Sequence, residues 1–439
     1  MDWKNLLSTK RFSPTESNLN SEDSRSEFHK DYDRIVFSSS FRRLGRKTQV
    51  HPLANNDHIH TRLTHSIEVG SVGRSIGHSV GKFLEQKSVL PKGISPQEIG
   101  AIVQAACLAH DIGNPPFGHA GEFAIRHWFQ DNGLKLALES QNEINDFKLF
   151  EGNAQGFRVV TTVENSYEMG GLRLTYATLG TMVKYPWFSD HALAKNKCKF
   201  NFFQSEKNIV HELMKELGLE SSTKDLYLRH PLSYLMEAAD DICYKILDIE
   251  DALELDILRF EEVSDILNNL AGLESEKSAE KNKDTFPNRG KVSKLRSEAI
   301  SNLIKKVTKI FENNYDDIIS GNFQGDLISK IEGIEKTGIE EAKKKTTDNI
   351  FLNRRKIELE LGSYEALNRI LSAYIEAANE IKQGNPSFKS KRINDLMGSK
   401  KITEQMSSHE CYLLITDIVS GMTDNHATHV ANQLLGQAL

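Results

Sequence analysis

Apolar residues recur at three- and four-residue spacing from about residue 31 to residue 260, the period of helices that bury one face. The stretch THSIEVGSVGRSIGHSVGKFL places Gly70, Gly73, Gly77 and Gly81 on one helix face. Each glycine costs a helix interior about 1 kcal/mol relative to alanine, so a stripe of four predicts a second helix in close approach. QEIGAIVQAACLAHDIG predicts the next helix, with Ile102, Ala105, Ala106 and Ala109 inward and a stop at Gly113, Pro115 and Pro116. PLSYLMEAADDICYKILDIEDAL predicts a third, with Pro231 in its first turn. Residues 1–30 are polar and read as a mobile N-terminal arm. Residues 261–294 read as a charged linker or loop, lysine-rich from about 273 onward. Helical periodicity resumes over 295–439. With few strand-like runs and no internal repeat, the chain reads as mainly α: a helical core over 31–260 and an additional C-terminal helical region.

Composition narrows the class without naming it. The 439 residues are 38% hydrophobic and 26% charged, an ordinary globular balance with room for a large core. A net charge of -6 gives no global positive field for a polyanion, so any such ligand needs a local basic cluster. Four scattered cysteines without a C-x-x-C spacing suit a reducing, cytoplasmic setting. MDWKNLLSTKRF lacks the apolar core of a signal peptide, and no run is long enough to span a bilayer.

The chemistry-bearing residues sit in these helices. His110 and Asp111 end the second helix in LAHDIGNPPFGHAGE; His65 opens the glycine-striped helix in RLTHS; Asp240 and Asp241 lie in the third. Adjacent helical residues point about 100° apart, so His110 and Asp111 can share one ion only at a helix end, which Gly113 and the prolines supply. Taken singly, each reads as readily as a hydrogen-bonded core histidine or a solvated carboxylate. Their apolar surroundings, AACLA and LMEAA, make several unpaired buried charges costly, and a shared metal removes that cost. Imidazole and carboxylate donors without thiolate favour Mn, Fe, Co, Ni, Zn or Mg over a structural zinc site. Together they make the chain a candidate metal-dependent phosphohydrolase.

Three further patterns bear on a substrate. Asp240, Tyr244 and Asp248 are spaced by four and form one polar stripe, which is either a solvated face or a ladder from metal to phosphate to sugar. His119 and Glu122, three apart at a helix start, are either a general acid–base pair or a loop histidine beside a carboxylate that complements the helix dipole. FRRLGRKTQ, with Arg42, Arg43, Arg46 and Lys47, is either a solvated face or a polyphosphate cradle; Arg62, Lys184 and Tyr185 are further candidates. No glycine-rich phosphate loop is present, so a nucleotide would be held by side chains and metal.

These residues carry a resemblance. DYDRIVFSSSFRRLGRKTQV, RLTHSIEV, LAHDIGNPPFGHAGE, FEGNAQGFRV, GGLRLTYATLGTMVKYPW, RHPLSYLMEAADDICY and GMTDNHA, in this order, resemble the HD-domain deoxynucleoside triphosphate triphosphohydrolases of the bacterial dGTPase-like group over most of the chain. The resemblance implies an HD-domain helical core and hydrolysis of a dNTP, dGTP among them, to the deoxynucleoside and inorganic triphosphate. It implies His65, His110, Asp111 and Asp240 as ligands of a divalent metal ion (Mg, Mn or another first-row transition metal), selecting Asp240 over Asp241. It implies His119 and Glu122 as the catalytic pair, Gln49 and Asp248 at the 3′-hydroxyl, Val50 near C2′, and Arg62, Lys184 and Tyr244 at the triphosphate. Asn114 stands where many relatives in the broader family have a histidine, which leaves proton transfer to His119 with Glu122. C-terminal phosphate contacts have only Lys391 and Arg392 as candidates.

The expectation is therefore a cytoplasmic dNTP triphosphohydrolase. By resemblance it is a homo-oligomer, with a hexamer as one form, and single-stranded DNA or a dNTP as an effector. Two alternatives stay open: an HD phosphohydrolase acting on a nucleoside monophosphate or cyclic nucleotide, and a catalytically weak regulator that binds nucleotide or single-stranded DNA.

Overall fold

The structure is a computed structural model that describes residues 1–12, 25–50, 56, 58–133, 136–138, 140–165, 171–221, 226–273 and 285–437, with the side chains of 285–288, 351 and 355 left out. The described residues form α-helices joined by turns and four isolated bridges, with no strand among them. In chain order these are α1 (Trp3–Leu6), α2 (Glu27–Val36), α3 (Ser39–Arg43), α4 (Arg62–Gln86), α5 (Pro96–Ala109), α6 (His119–Asp131), α7 (Gln141–Lys148), α8 (Gly152–Arg158), α9 (Tyr176–Met182) and α10 (Ala192–Lys197). There follow α11 (Lys207–Glu216), α12 (Pro231–Glu254), α13 (Phe260–Leu270), α14 (Thr285–Asn313), α15 (Tyr315–Ser320), α16 (Ile334–Lys345), α17 (Arg354–Lys382), α18 (Phe388–Leu396), α19 (Ser408–Gly421) and α20 (Asp424–Leu434). The mainly α expectation is met. No helix among the described residues is long and apolar enough to cross a membrane.

The predicted close approach is between α4 and α5. A Cβ on Gly77 would lie 3.0 Å from the Gly100 Cα and the Ile99 carbonyl, one on Gly81 would lie 2.7 Å from the Pro96 Cα, and one on Gly73 would strike the Cys107 sulfur. The stripe costs helix propensity and returns backbone-to-backbone packing along the pair. Ser95 begins α5 with a capping box to Glu98 and Pro96 in the first turn. The helix α12 crosses both, burying Ala238, Ala239, Ile242, Cys243 and Ile246 against them.

Two expected boundaries move. Residues 1–12 are not an arm: Trp3, Leu6 and Leu7 are buried, Trp3 Nε1 donates to the Tyr315 hydroxyl at 2.9 Å, and Arg11 pairs with Asp31 at 2.6 Å. Residues 13–24 of that arm lie outside the described residues. The linker reading also fails over its first ten residues, where α13 buries Val263, Ile266, Leu267 and Leu270 at helical spacing, and α14 already runs from Thr285; 274–284 lie outside the described residues. Nor do the C-terminal helices stand apart. Phe129, Phe147 and Phe150 share one core with Leu367, Ile370, Tyr412 and Ile415, and Ala299, Leu303, Val307 and Phe311 join the core of α4, α5 and α12.

Candidate active site

The helix α5 ends at Ala109, and the turn that follows carries His110 and Asp111. A Cβ on Gly113 would strike the backbone of Gly156 and Gly152, so this turn must be bare where α8 crosses it. His65, in the second turn of α4, and Asp240, midway along α12, come to the same point.

His65, His110 and Asp111 each present a donor atom within 4.8 Å of the others. Asp240 joins them through the two imidazoles: its Oδ1 lies 3.0 Å from His65 Nε2 and 3.5 Å from His110 Nε2. His110 Nδ1 lies 2.6 Å from the Cys107 carbonyl, which can only accept, so Nδ1 carries the proton and Nε2 faces the cluster. Arg62 holds Asp111 Oδ2 at 2.8 Å, and the Asn114 amide donates to Asp111 Oδ1. Burial alone would lower the His110 imidazole, but Asp111 and Asp240 beside it raise it to about 9. Burial would raise the Asp240 carboxyl, yet the His110 and His65 imidazoles hold it well below the usual carboxylate range. Two imidazoles and two ionised carboxylates converging in a buried corner are a donor set that fits a divalent cation. The pair ambiguity resolves in space: Asp240 faces the imidazoles, while Asp241 turns to Lys245 at 3.0 Å.

His119 is the first residue of α6. Its side chain is 73% exposed, and its Nδ1 lies 3.0 Å from Glu122 Oε2. Glu122 is buried and also accepts from the Gly152 N–H at 2.7 Å, with Arg126 at 3.8 Å and Lys199 at 4.0 Å. Burial opposes its charge, but Lys199 and His119 outweigh that and keep the carboxyl far below its ordinary range. The first turn of α8 therefore anchors Glu122, and Glu122 anchors His119.

His110, Asp111, Asp240, His119 and Glu122 open on one cavity of about 300 Å³, while His65 is buried beside Asp240 and does not line it. Gln49, Val50, Arg62, Lys184 and Tyr244 line it, as expected. The Gln49 Oε1 is buried without a hydrogen-bond partner and is free to accept from a ligand. Lys184 pairs with Glu237 at 3.0 Å. Asp248 is buried one turn beyond Tyr244 and does not reach the cavity wall; its Oδ2 has no partner, and burial with Asp251 nearby pushes its carboxyl well up.

Two sets of candidate phosphate contacts lie away from the cavity. Among Arg42, Arg43, Arg46 and Lys47, none lines the cavity. Arg42 and Arg46 are solvated, while Lys47 is buried and donates to two carbonyls, Asn114 and Ser420, each at 2.6 Å. Lys391 and Arg392 are exposed and likewise absent from the wall, and Arg392 pairs with Asp395 at 3.3 Å. The cations that do line it include two the sequence reading missed. Lys199 is held at 2.6 Å by Glu151, the N-cap of α8, and Lys356 arrives from α17. The FEGNAQG segment signalled the first through its buried acid; nothing periodic signalled the second.

This all-α arrangement, with two histidines and two aspartates converging beside a histidine–glutamate pair, defines an HD-type site, and the HD domain family model matches residues 62–158. The whole chain finds relatives. It is 46% identical over 444 residues to a deoxyguanosinetriphosphate triphosphohydrolase-like protein of Pseudomonas aeruginosa, covering 100% of this chain and 99% of that one. It is 38% identical over 452 residues to one of Synechocystis, with full coverage of both. A deoxyguanosinetriphosphate triphosphohydrolase of Yersinia pestis is 30% identical over 512 residues, with 97% of each chain covered. The chain belongs to the deoxyguanosinetriphosphate triphosphohydrolase-like family.

Proposed function

We propose that the protein is a metal-dependent dNTP triphosphohydrolase that converts dNTPs, dGTP among them, to the deoxynucleoside and inorganic triphosphate. One observation carries the reading: His110, Asp111 and Asp240, with His65 buried against Asp240, and the His119–Glu122 pair open on a single cavity whose wall includes Arg62, Lys184, Lys199 and Lys356. Its volume suits a nucleotide-sized ligand.

His65, His110, Asp111 and Asp240 would hold a divalent ion, which would supply Lewis-acid polarisation of a phosphoryl oxygen. The chain's own groups do the rest. The lysines and Arg62 offset the charge of the triphosphate in a largely buried space. Tyr244 donates to a phosphate oxygen. Gln49 accepts from the 3′-hydroxyl, Val50 packs where a ribose would carry its 2′-hydroxyl, and Asp248, buried one turn beyond Tyr244, is the second candidate for the sugar. Attack of water at the α-phosphorus forms one P–O bond and breaks the bond to the 5′-oxygen. His119, held through Nδ1 by Glu122, delivers the proton that this oxygen needs.

The test is product analysis on purified protein with each dNTP, with rGTP and rATP as controls, in Mg, Mn or Co. Release of inorganic triphosphate supports the reading. Orthophosphate as the sole product from monophosphates points to the alternative substrate class, and nucleotide binding without turnover points to a regulator. Self-association belongs to the same reading through the family resemblance; light scattering, with and without single-stranded DNA or a second dNTP, tests it and the effector. Four unbridged cysteines accord with a cytoplasmic location.

A further inference from the structure

The segment between α19 and α20 touches both halves of the proposed site. Asp424, the first residue of α20, is 2% exposed and accepts three hydrogen bonds from two other loops. Its Oδ2 accepts from the Thr48 N–H at 3.0 Å and the Thr48 hydroxyl at 2.5 Å; its Oδ1 accepts from the Phe117 N–H at 2.9 Å. Thr48 directly precedes Gln49 and Val50, and Phe117 stands two residues before His119. A carboxylate at a helix start commonly just offsets the helix dipole. That role needs neither burial nor three donors from outside the helix, and Asp424 has both.

The Phe117 backbone explains why a charge is spent here. Its φ is 64°, and Gly118 follows at 60°. A non-glycine residue in that region costs on the order of 1–3 kcal/mol, and a charge-assisted bond to a buried carboxylate offsets that cost. A second tie runs parallel: Lys47 donates to the carbonyls of Asn114 and Ser420. On its other side the 47–48 segment is pinned to the start of α4, where Thr48 bridges Thr61 and the Arg62 N–H donates to Lys47 O at 3.1 Å. Residues 420–424 thus hold the sugar wall and the His119 loop at one fixed separation.

We propose that Asp424 is a positioning residue that sets the distance between Gln49–Val50 and His119, and so governs both turnover and the preference for deoxyribose over ribose. This rests on the reaction proposed above. The experiment is steady-state kinetics of Asp424→Asn, Thr48→Val and Thr48→Ser on dGTP and rGTP, with metal content and melting temperature measured in parallel. Asp424→Asn offers one acceptor oxygen and an amide NH2 that opposes the remaining N–H, so kcat falls on the order of 10²-fold while metal stays bound. Thr48→Val keeps the side-chain shape and loses only the hydroxyl bond, so the dGTP-to-rGTP ratio of kcat/KM falls about tenfold; Thr48→Ser restores it. If Asp424→Asn lowers only the melting temperature, or Thr48→Val keeps the wild-type ratio, the proposal is overturned. Should Asp424→Asn not fold, the Thr48 pair decides alone. Absence of triphosphate release by the wild type from every dNTP would instead sink the proposed function, a result separable from either variant outcome.

Discussion

His65 Nε2 stands 3.0 Å from Asp240 Oδ1, while the neighbouring Asp241, on the wall of the same cavity, reaches Lys245 at the same distance. Two adjacent, chemically identical residues therefore have different partners. Asp240→Ala removes one of two carboxylate donors, leaving His65 without its hydrogen-bonded carboxylate and His110 with Asp111 alone. Metal affinity is expected to fall by on the order of 10²-fold or more, and turnover with it. Asp241→Asn should leave metal content at the wild-type level. Metal analysis after dialysis against equal concentrations of Mn checks both; equal loss in the two variants would show that the donor assignment is wrong.

The His119–Glu122 pair separates chemistry from stability. His119 is 73% exposed and its side chain supports nothing else, so His119→Ala should change unfolding free energy by no more than about 0.5 kcal/mol and leave metal bound. Turnover should drop by on the order of 10²–10⁴-fold. Glu122→Gln also loses the second carboxylate near Lys199 and weakens the anchor of the Gly152 N–H, so it should reduce kcat and cost about 1–3 kcal/mol as well. Near-normal turnover in His119→Ala would remove this residue from the mechanism.

Periodicity located what lies on a single helix and missed what meets across the fold. The glycine stripe of α4, the inward face of α5 and the Asp240–Tyr244 spacing all follow from 3.6 residues per turn. His119 and Glu122 were readable for the same reason, being three apart. Lys199 and Glu122 are 77 positions apart and meet only because α8 folds across the His110 turn. Lys356 reaches the cavity from a helix whose sequence, RRKIELE, reads as an ordinary solvated face. The basic run at 42–47 is ambiguous in sequence because charge density does not report direction: Lys47 points inward to two carbonyls, and Arg42 and Arg46 are exposed. Trp3 and Leu6 were lost in a polar stretch because two large apolar residues are enough to dock a single turn.

His60 provides a pH dependence with a definite sign. Its Nδ1 lies 2.6 Å from Asp251 and its Nε2 3.4 Å from Glu68. Burial would lower the imidazole, but these two carboxylates raise it from 6.5 to about 10. A folded-state pKa above the unfolded one gives stability that is complete below pH 6.5 and lost as pH rises through about 10. Because Glu68 is 39% exposed and screened, the contribution should be about 1–3 kcal/mol. Denaturant unfolding of wild type and His60→Gln at pH 6, 8 and 10 should show a gap that narrows steadily. A gap constant across that range would mean the imidazolium is not the stabilising species.

Glycine-to-alanine changes should have opposite signs at two helical positions. In a helix interior the exchange gains about 1 kcal/mol from propensity alone. Around Gly362 in α17 nothing lies within 4 Å of an added Cβ, so Gly362→Ala should realise most of that gain. At Gly81 the added Cβ would sit 2.7 Å from the Pro96 Cα and 2.9 Å from its carbonyl, backbone atoms at the rigid first turn of α5. Relieving that contact requires α4 and α5 to part, and overpacking of this kind costs about 1–3 kcal/mol. The net effect of Gly81→Ala should therefore be destabilising, with a melting temperature below wild type while that of Gly362→Ala lies above it. Stabilisation by both exchanges would show that the α4–α5 contact is looser than these distances and that the glycine stripe serves some purpose other than close packing.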